Sequence, residues 1–133
     1  MTDRNRELLE RLWPMDGQLA LSAEAEHELR TEDYVLEMPQ SGERITGRDK
    51  MRAMQQEYPN PPSIEVQRIV GSGDHFVLLG RSDYGGDIYY VANVVEFEDG
   101  RVARETRIYG SPFEPPEWRS KYAESSSTDR SQV

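Results

Sequence analysis

The stretch from His75 to Tyr109 constrains this chain more than any other, because three apolar-rich segments follow one another with only tight-turn signals between them. Phe76-Val77-Leu78-Leu79 runs into Tyr84-Gly85-Gly86-Asp87, Ile88 to Phe97 follows, Glu98-Asp99-Gly100 turns the chain again, and Arg101 to Tyr109 completes the run. Glycine-bearing turns between such segments predict an antiparallel meander of three strands. Side chains alternate along a strand, so Tyr89, Val91, Asn93 and Val95 share one face, and Tyr90, Ala92, Val94 and Glu96 the other. In the last segment Ala103, Glu105, Arg107 and Tyr109 share a face. Such a row fits either a solvated surface or a polar patch inside a concave sheet. The pattern alone favours the surface, because charged residues are seldom buried unpaired. Neither face is wholly polar, however: Phe76 and Leu78 oppose Val77 and Leu79. A sheet covered on both sides is expected, by the core on one and by a second copy of the chain on the other.

Upstream, Leu8, Leu9, Leu12 and Trp13 form the apolar stripe of a short helix that Pro14 stops. Met15-Asp16-Gly17-Gln18 reads as a connector, and Ser22 caps a second helix running to about Arg30, with Glu24 and Glu26 in its first turn. His27 in that helix is read as a solvated or core-edge side chain. Tyr34 to Met38 is strand-like, closes at Pro39-Gln40-Ser41-Gly42 and returns through Glu43-Arg44-Ile45. Thr46 followed by Asp49 has the spacing of a capping box, and Met51, Met54 and Tyr58 recur at helical spacing, the two methionines as core filler, which predicts a third helix from about Gly47 to Glu57. Pro59, Pro61 and Pro62 end it.

Ser63 to Val70 alternates Ile64, Val66, Arg68 and Val70 against Glu65, Gln67 and Ile69, which predicts a half-buried strand before the Gly71-Ser72-Gly73-Asp74 turn. Pro116 suits the first position of a short final helix from Glu117 to about Ala123. Helices segregated from an antiparallel sheet make an α+β fold, expected as one domain over residues 1–124 with a disordered polar tail at 125–133.

A net charge of −9 argues against nucleic acid or an anionic membrane as a partner, since both repel an acidic protein. The absence of cysteine removes disulfide, thiolate and cysteine-zinc chemistry. No segment approaches the roughly 18 apolar residues of a membrane span. A cytoplasmic protein is expected.

The stretch Asp33-Tyr34-Val35-Leu36-Glu37-Met38-Pro39-Gln40-Ser41-Gly42-Glu43-Arg44-Ile45-Thr46-Gly47-Arg48 resembles the hairpin-plus-helix signature of the nuclear transport factor 2-like superfamily. Within it the chain resembles the SnoaL-like group of polyketide-cyclase relatives. Its ending is also similar to theirs: Glu105-Thr106-Arg107-Ile108-Tyr109, then Pro112-Phe113-Glu114 and Trp118-Arg119. The resemblance covers roughly Asp33 to Trp118. It implies a cone-shaped sheet curling around helices over a cavity, and it implies a register. Met38 falls where the ketosteroid-isomerase branch carries its catalytic aspartate. Asn93 falls where that branch carries a protonated aspartic acid, and Tyr109 at an aromatic wall. No tyrosine lies near Trp13 to serve as the oxyanion phenol. Without the carboxylate base that carbon-acid mechanism has no proton acceptor, and it is rejected.

The same register turns Glu105 and Arg107 inward, against the surface preference drawn from pattern. The resemblance therefore implies Glu105 as a general acid/base and Arg107 as its partner or a substrate anchor. Asn93, Tyr109, Met38, Tyr89 and Trp13 bind substrate, and Arg68 extends the anchor if its face is inward. The expected activity is that of a cyclase, isomerase or dehydratase acting on a small, mainly apolar oxygenated molecule, with no metal or cofactor. The alternative is a non-catalytic ligand-binding or dimerisation module. An epoxide hydrolase would need a second carboxylate, which only an inward Asp83 or Asp87 could supply.

Overall fold

The computed structural model describes residues 3–13, 21–57 and 63–124. Helix α1 spans Arg4–Leu12, and Asp3 caps it by accepting from the N–H groups of Asn5 at 3.1 Å and Arg6 at 3.2 Å. Leu9 and Leu12 are its buried face. Helix α2, Ala23–Glu28, starts at the expected cap, where Ser22 Oγ accepts from Ala25 N–H at 3.1 Å. It stops before Arg30, because Arg30 already belongs to strand β1, Arg30–Met38. Strand β2, Glu43–Thr46, takes Thr46 into the sheet, so this residue is not the cap that its spacing predicts. Helix α3, Arg48–Glu57, follows from Gly47 at φ 96°. Met51 is buried in the core as expected, whereas Met54 is exposed on the outer side of α3. Tyr58 with Pro59, Pro61 and Pro62, the Met15–Gln18 connector and the polar tail lie outside the described residues.

Strands β3 (Ser63–Ser72), β4 (His75–Tyr84), β5 (Asp87–Glu98) and β6 (Arg101–Gly110) complete one curved sheet of order β2-β1-β6-β5-β4-β3. The meander is present as predicted. Four pairings are antiparallel, but β1 runs parallel to β6, which sets Leu36 beside Glu105. The expectation of a purely antiparallel sheet is corrected there. The core is a single cluster in which Phe76 and Phe97 meet edge to face at 5.8 Å, roofed by α1 and by Met51 of α3.

One departure from simple alternation matters for the site. The register of β3 against β4 shifts between Val66 and Arg68, so Gln67 is an extra residue in the strand. A bulge of this kind exchanges the two faces. Ile64 and Val66 stay on the inner side, Ile69 replaces Arg68 there, and Arg68 and Val70 turn out. Gly80 lets the bulged strand approach, because a Cβ on it would stand 2.5 Å from the Glu65 carbonyl oxygen.

The final helix is reduced to one 3-10 turn, Glu117–Arg119, with no side-chain cap. Its aromatic residues bury little: Trp118 is 73% and Tyr122 77% exposed. A three-residue turn behind two prolines has no apolar stripe long enough to dock. Among the described residues no helix is long and apolar enough to cross a membrane.

Candidate functional site

The inner face of the sheet is laid out by register. Val95 stands opposite Glu105, Asn93 opposite Arg107, and Val91 opposite Tyr109. Glu105 is fully buried, a position that demands compensation for its charge. It receives that from four side chains. Its Oε1 accepts from Arg107 Nε at 3.0 Å, from the second Arg107 nitrogen at 2.7 Å and from Asn93 Nδ2 at 2.9 Å. Its Oε2 accepts from the Tyr34 hydroxyl at 2.6 Å and lies 3.7 Å from Arg30. Arg30, itself 1% exposed, donates to Glu26 at 2.8 Å and lies over the Tyr34 ring at 4.9 Å. Glu26, Arg30, Glu105 and Arg107 thus alternate in sign from α2 to the inner sheet face.

The titration of these groups follows from that packing. Burial alone would raise the Glu105 carboxyl, but Arg107 and Arg30, with the hydrogen bonds from Tyr34 and Asn93, outweigh it and leave its pKa below the ordinary value. Burial and the adjacent Glu105 carboxylate push the Tyr34 phenol well up. Burial works against the Arg107 charge, yet Glu105 holds its pKa above the usual arginine value.

Beyond Arg107 the inner sheet face borders a partly open hollow of about 30 Å³, lined by Trp13, Ile64, Val66, Leu78, Val91, Asn93, Arg107 and Tyr109 among others. That exceeds the roughly 10–15 Å³ a cavity needs to admit a water. Arg107 is the only charged side chain that lines it among the described residues, and its guanidinium lies 5.8 Å from the Trp13 ring centre. Two buried polar atoms beside the hollow, Asn93 Oδ1 and Ser82 Oγ, have no hydrogen-bond partner among the described residues. A wider open groove of about 620 Å³, lined by Glu32, Asp33, Glu98, Asp99 and other polar residues, carries both signs of charge. It has no apolar wall to hold a small molecule, so the smaller hollow is taken as the site.

Residues 17–105 match the SnoaL-like domain family. The chain belongs to that family. A nuclear transport factor 2-like protein of unknown function from Burkholderia xenovorans is 35% identical to this SnoaL-like chain, covers 91% of it and 94% of its own length, and superposes with a TM-score of 0.79. A candidate ketosteroid isomerase from Kribbella flavida is 27% identical over 95% of this chain and 92% of its own, with a TM-score of 0.78. An epoxide hydrolase from Mycobacterium tuberculosis, 17% identical over 80% of this chain and 82% of its own, shares the fold at a TM-score of 0.63. No curated protein matches the chain.

In this SnoaL-like domain the structure brings Glu105, Arg107, Asn93, Tyr109 and Trp13 together at or beside the hollow. It leaves three expected wall residues elsewhere. Arg68 is exposed on the outer face, carried there by the bulge at Gln67. Met38 packs against the edge of the core and Tyr89 stacks edge to face on Tyr84 at 5.6 Å, and neither lines the hollow. Asp83 and Asp87 are exposed, and Asp83 accepts from the Gly86 N–H at 2.6 Å, so neither supplies a second inward carboxylate. His27 lies at the buried core edge, with Nε2 2.7 Å from Asp49 Oδ1.

Sequence reasoning missed Tyr34 and Arg30 as partners of Glu105. Tyr34 shares its strand face with Leu36, a signal for burial but not for its partner. Ser82 was within reach, since it continues the inward parity of Phe76, Leu78 and Gly80 along β4.

Proposed function

We propose that this SnoaL-like domain binds one small, mainly apolar oxygenated molecule over the hollow. Arg107 and Asn93 hold its oxygen-bearing end, and Tyr109 and Trp13 flank its body. The observation that carries this reading is that a single charged side chain, Arg107, reaches an otherwise apolar and neutral wall. Glu105 then serves as a fixed counter-charge. Its oxygens already accept from Arg107, Asn93 and Tyr34, and its lowered pKa keeps it ionised at neutral pH. The hollow takes the oxygen-bearing end, while the body lies against Ile64, Val91 and Trp13 at its margin.

A thermal-shift screen with small ketones, enols and epoxides tests this, because a ligand of the folded state raises the melting temperature by mass action. A hit should bind Arg107→Lys about tenfold more weakly, since lysine keeps the charge but loses the planar fork. Equal shifts in both proteins would dissociate Arg107 from binding.

Acid/base turnover by Glu105, of the cyclase, isomerase or dehydratase kind, is the second reading. The 27% identical candidate ketosteroid isomerase favours it. Once a substrate is identified, undiminished turnover by Glu105→Gln, assayed below its melting temperature, would remove Glu105 from that role.

We further propose a homodimer through the outer sheet face, where Val70, Leu79, Tyr90, Val94 and Ile108 are exposed. Two such faces bury one another's apolar rows in an isologous contact. Sedimentation at micromolar concentration should give a dimer that Val94→Lys converts to monomer. A wild-type protein that sediments only as monomer contradicts the proposal.

A further inference from the structure

We infer that Glu105 makes this pocket select its ligand by charge, admitting a neutral oxygen acceptor and excluding a carboxylate or another anion. This rests on the pocket proposed above and names the charge class that it takes. An arginine beside an apolar hollow is by itself an anchor for a carboxylate. Here the anchor is already engaged. Arg107 donates from Nε and Nη2 to Glu105 Oε1, at 3.0 and 2.7 Å, and that carboxylate is fully buried. Nη1 has no hydrogen-bond partner among the described residues and is not sealed in the interior, so Arg107 keeps N–H groups for an acceptor at the hollow that it lines.

An incoming anion meets a row of charges that sums to zero. Glu26 faces Arg30 at 2.8 Å, Arg30 faces Glu105 at 3.7 Å, and Glu105 faces Arg107 at 2.7 Å. No further cation lines the hollow among the described residues, and the chain as a whole carries a net charge of −9. An anion on the free edge of the Arg107 guanidinium would stand roughly 6–7 Å from the Glu105 carboxylate, the width of the group with a hydrogen bond on each side. In the effective dielectric of a protein, one unit charge at that distance changes an anion's affinity at least about tenfold. Nor can Glu105 give up its place. Turning away from Arg107 would leave a fully buried carboxylate without its closest cation, and Tyr34 and Asn93 hold its two oxygens where they are. A neutral acceptor takes the same N–H groups without bringing a charge out of water.

The test compares two ligands of nearly the same shape, cyclohexyl methyl ketone and cyclohexanecarboxylate. Each is titrated near neutral pH into the full chain, labelled with nitrogen-15 and followed at the amides of residues 93 and 107. The ketone is expected to bind the wild type at least about tenfold more tightly. An apolar wall alone also disfavours a carboxylate, so the deciding step removes Glu105. In Glu105→Gln the carboxylate should gain at least about tenfold relative to the ketone, because Arg107 is then left without its counter-charge. Glu105→Gln combined with Arg30→Met is expected to stay folded where the single variant does not, since it leaves no second cation stranded, and it should show the same gain. Thermal shift reads binding to the folded fraction of either variant. If the carboxylate binds the wild type as well as the ketone, or the ratio is unchanged without Glu105, the charge inference fails while the pocket stands. If neither ligand moves those amides at millimolar concentration, the pocket and the inference fall together.

Discussion

Glu105→Gln is expected to destabilise the protein by about 3–5 kcal/mol, the range for removing one partner of a buried ion pair. The side chain is fully buried and its charge faces Arg107 at 2.7 Å and Arg30 at 3.7 Å. Glutamine keeps the volume, but its one amide oxygen can accept from Asn93 or from Tyr34 and not from both, since they donate to different oxygens of Glu105. It cannot balance the two cations, which would remain desolvated with only Glu26 opposite them. Urea unfolding at pH 7 measures the difference, read as a shift in midpoint at constant slope. A loss under about 1 kcal/mol would mean that the arginines find other partners, and the alternating charge row would have to be abandoned as an account of the interior. A purely acid/base role for Glu105 would predict a milder outcome for this substitution, a lost activity in an intact fold. The difference arises because Arg30 and Tyr34 converge on the same carboxylate.

Acid should make the same change without mutation. Glu105 has its folded-state pKa below the ordinary value of 4.5, so the stabilisation is complete above that value and is lost as pH falls through the folded-state pKa. The melting temperature of the wild type should therefore drop more steeply below about pH 4.5 than that of Glu105→Gln, and this linkage contributes no slope from pH 5.5 to 8. Asp49 also titrates low, through its hydrogen bond to His27, but it does so in both proteins and cancels in the comparison. Parallel melting curves across pH 3 to 5 would show that protonating Glu105 costs the fold nothing.

Much of the site was legible because β5 and β6 alternate cleanly over the relevant residues. Asn93, Glu105, Arg107 and Tyr109 fall inward from parity once the concave side is chosen, and the family resemblance chose it. Parity failed where a strand carries an extra residue. Nothing in Ser63 to Val70 announces the bulge at Gln67, since its cause is partly across the ladder at Gly80. The direction of β1 beside β6 was likewise hidden, because the two strands are far apart in sequence and a hydrophobic pattern does not encode which way a neighbour runs. The pairing of Tyr34 with Glu105 spans 71 residues and depends on that direction. Local signals did better: the Ser22 cap and the meander turns are where their residues predict. They over-reached at the C-terminus, where Trp118 and Tyr122 have the spacing of a helix but stay exposed among the described residues.

The two outermost strands deserve a last consequence. β2 has four residues, and β3 breaks its hydrogen-bonding row at Gln67 between the charged residues Glu65 and Arg68. Open rims of this sort make poor templates for another chain's backbone, so concentrated solutions should resist lateral growth into fibrils, and the closed pair proposed above would be the form of self-association left open to the outer face.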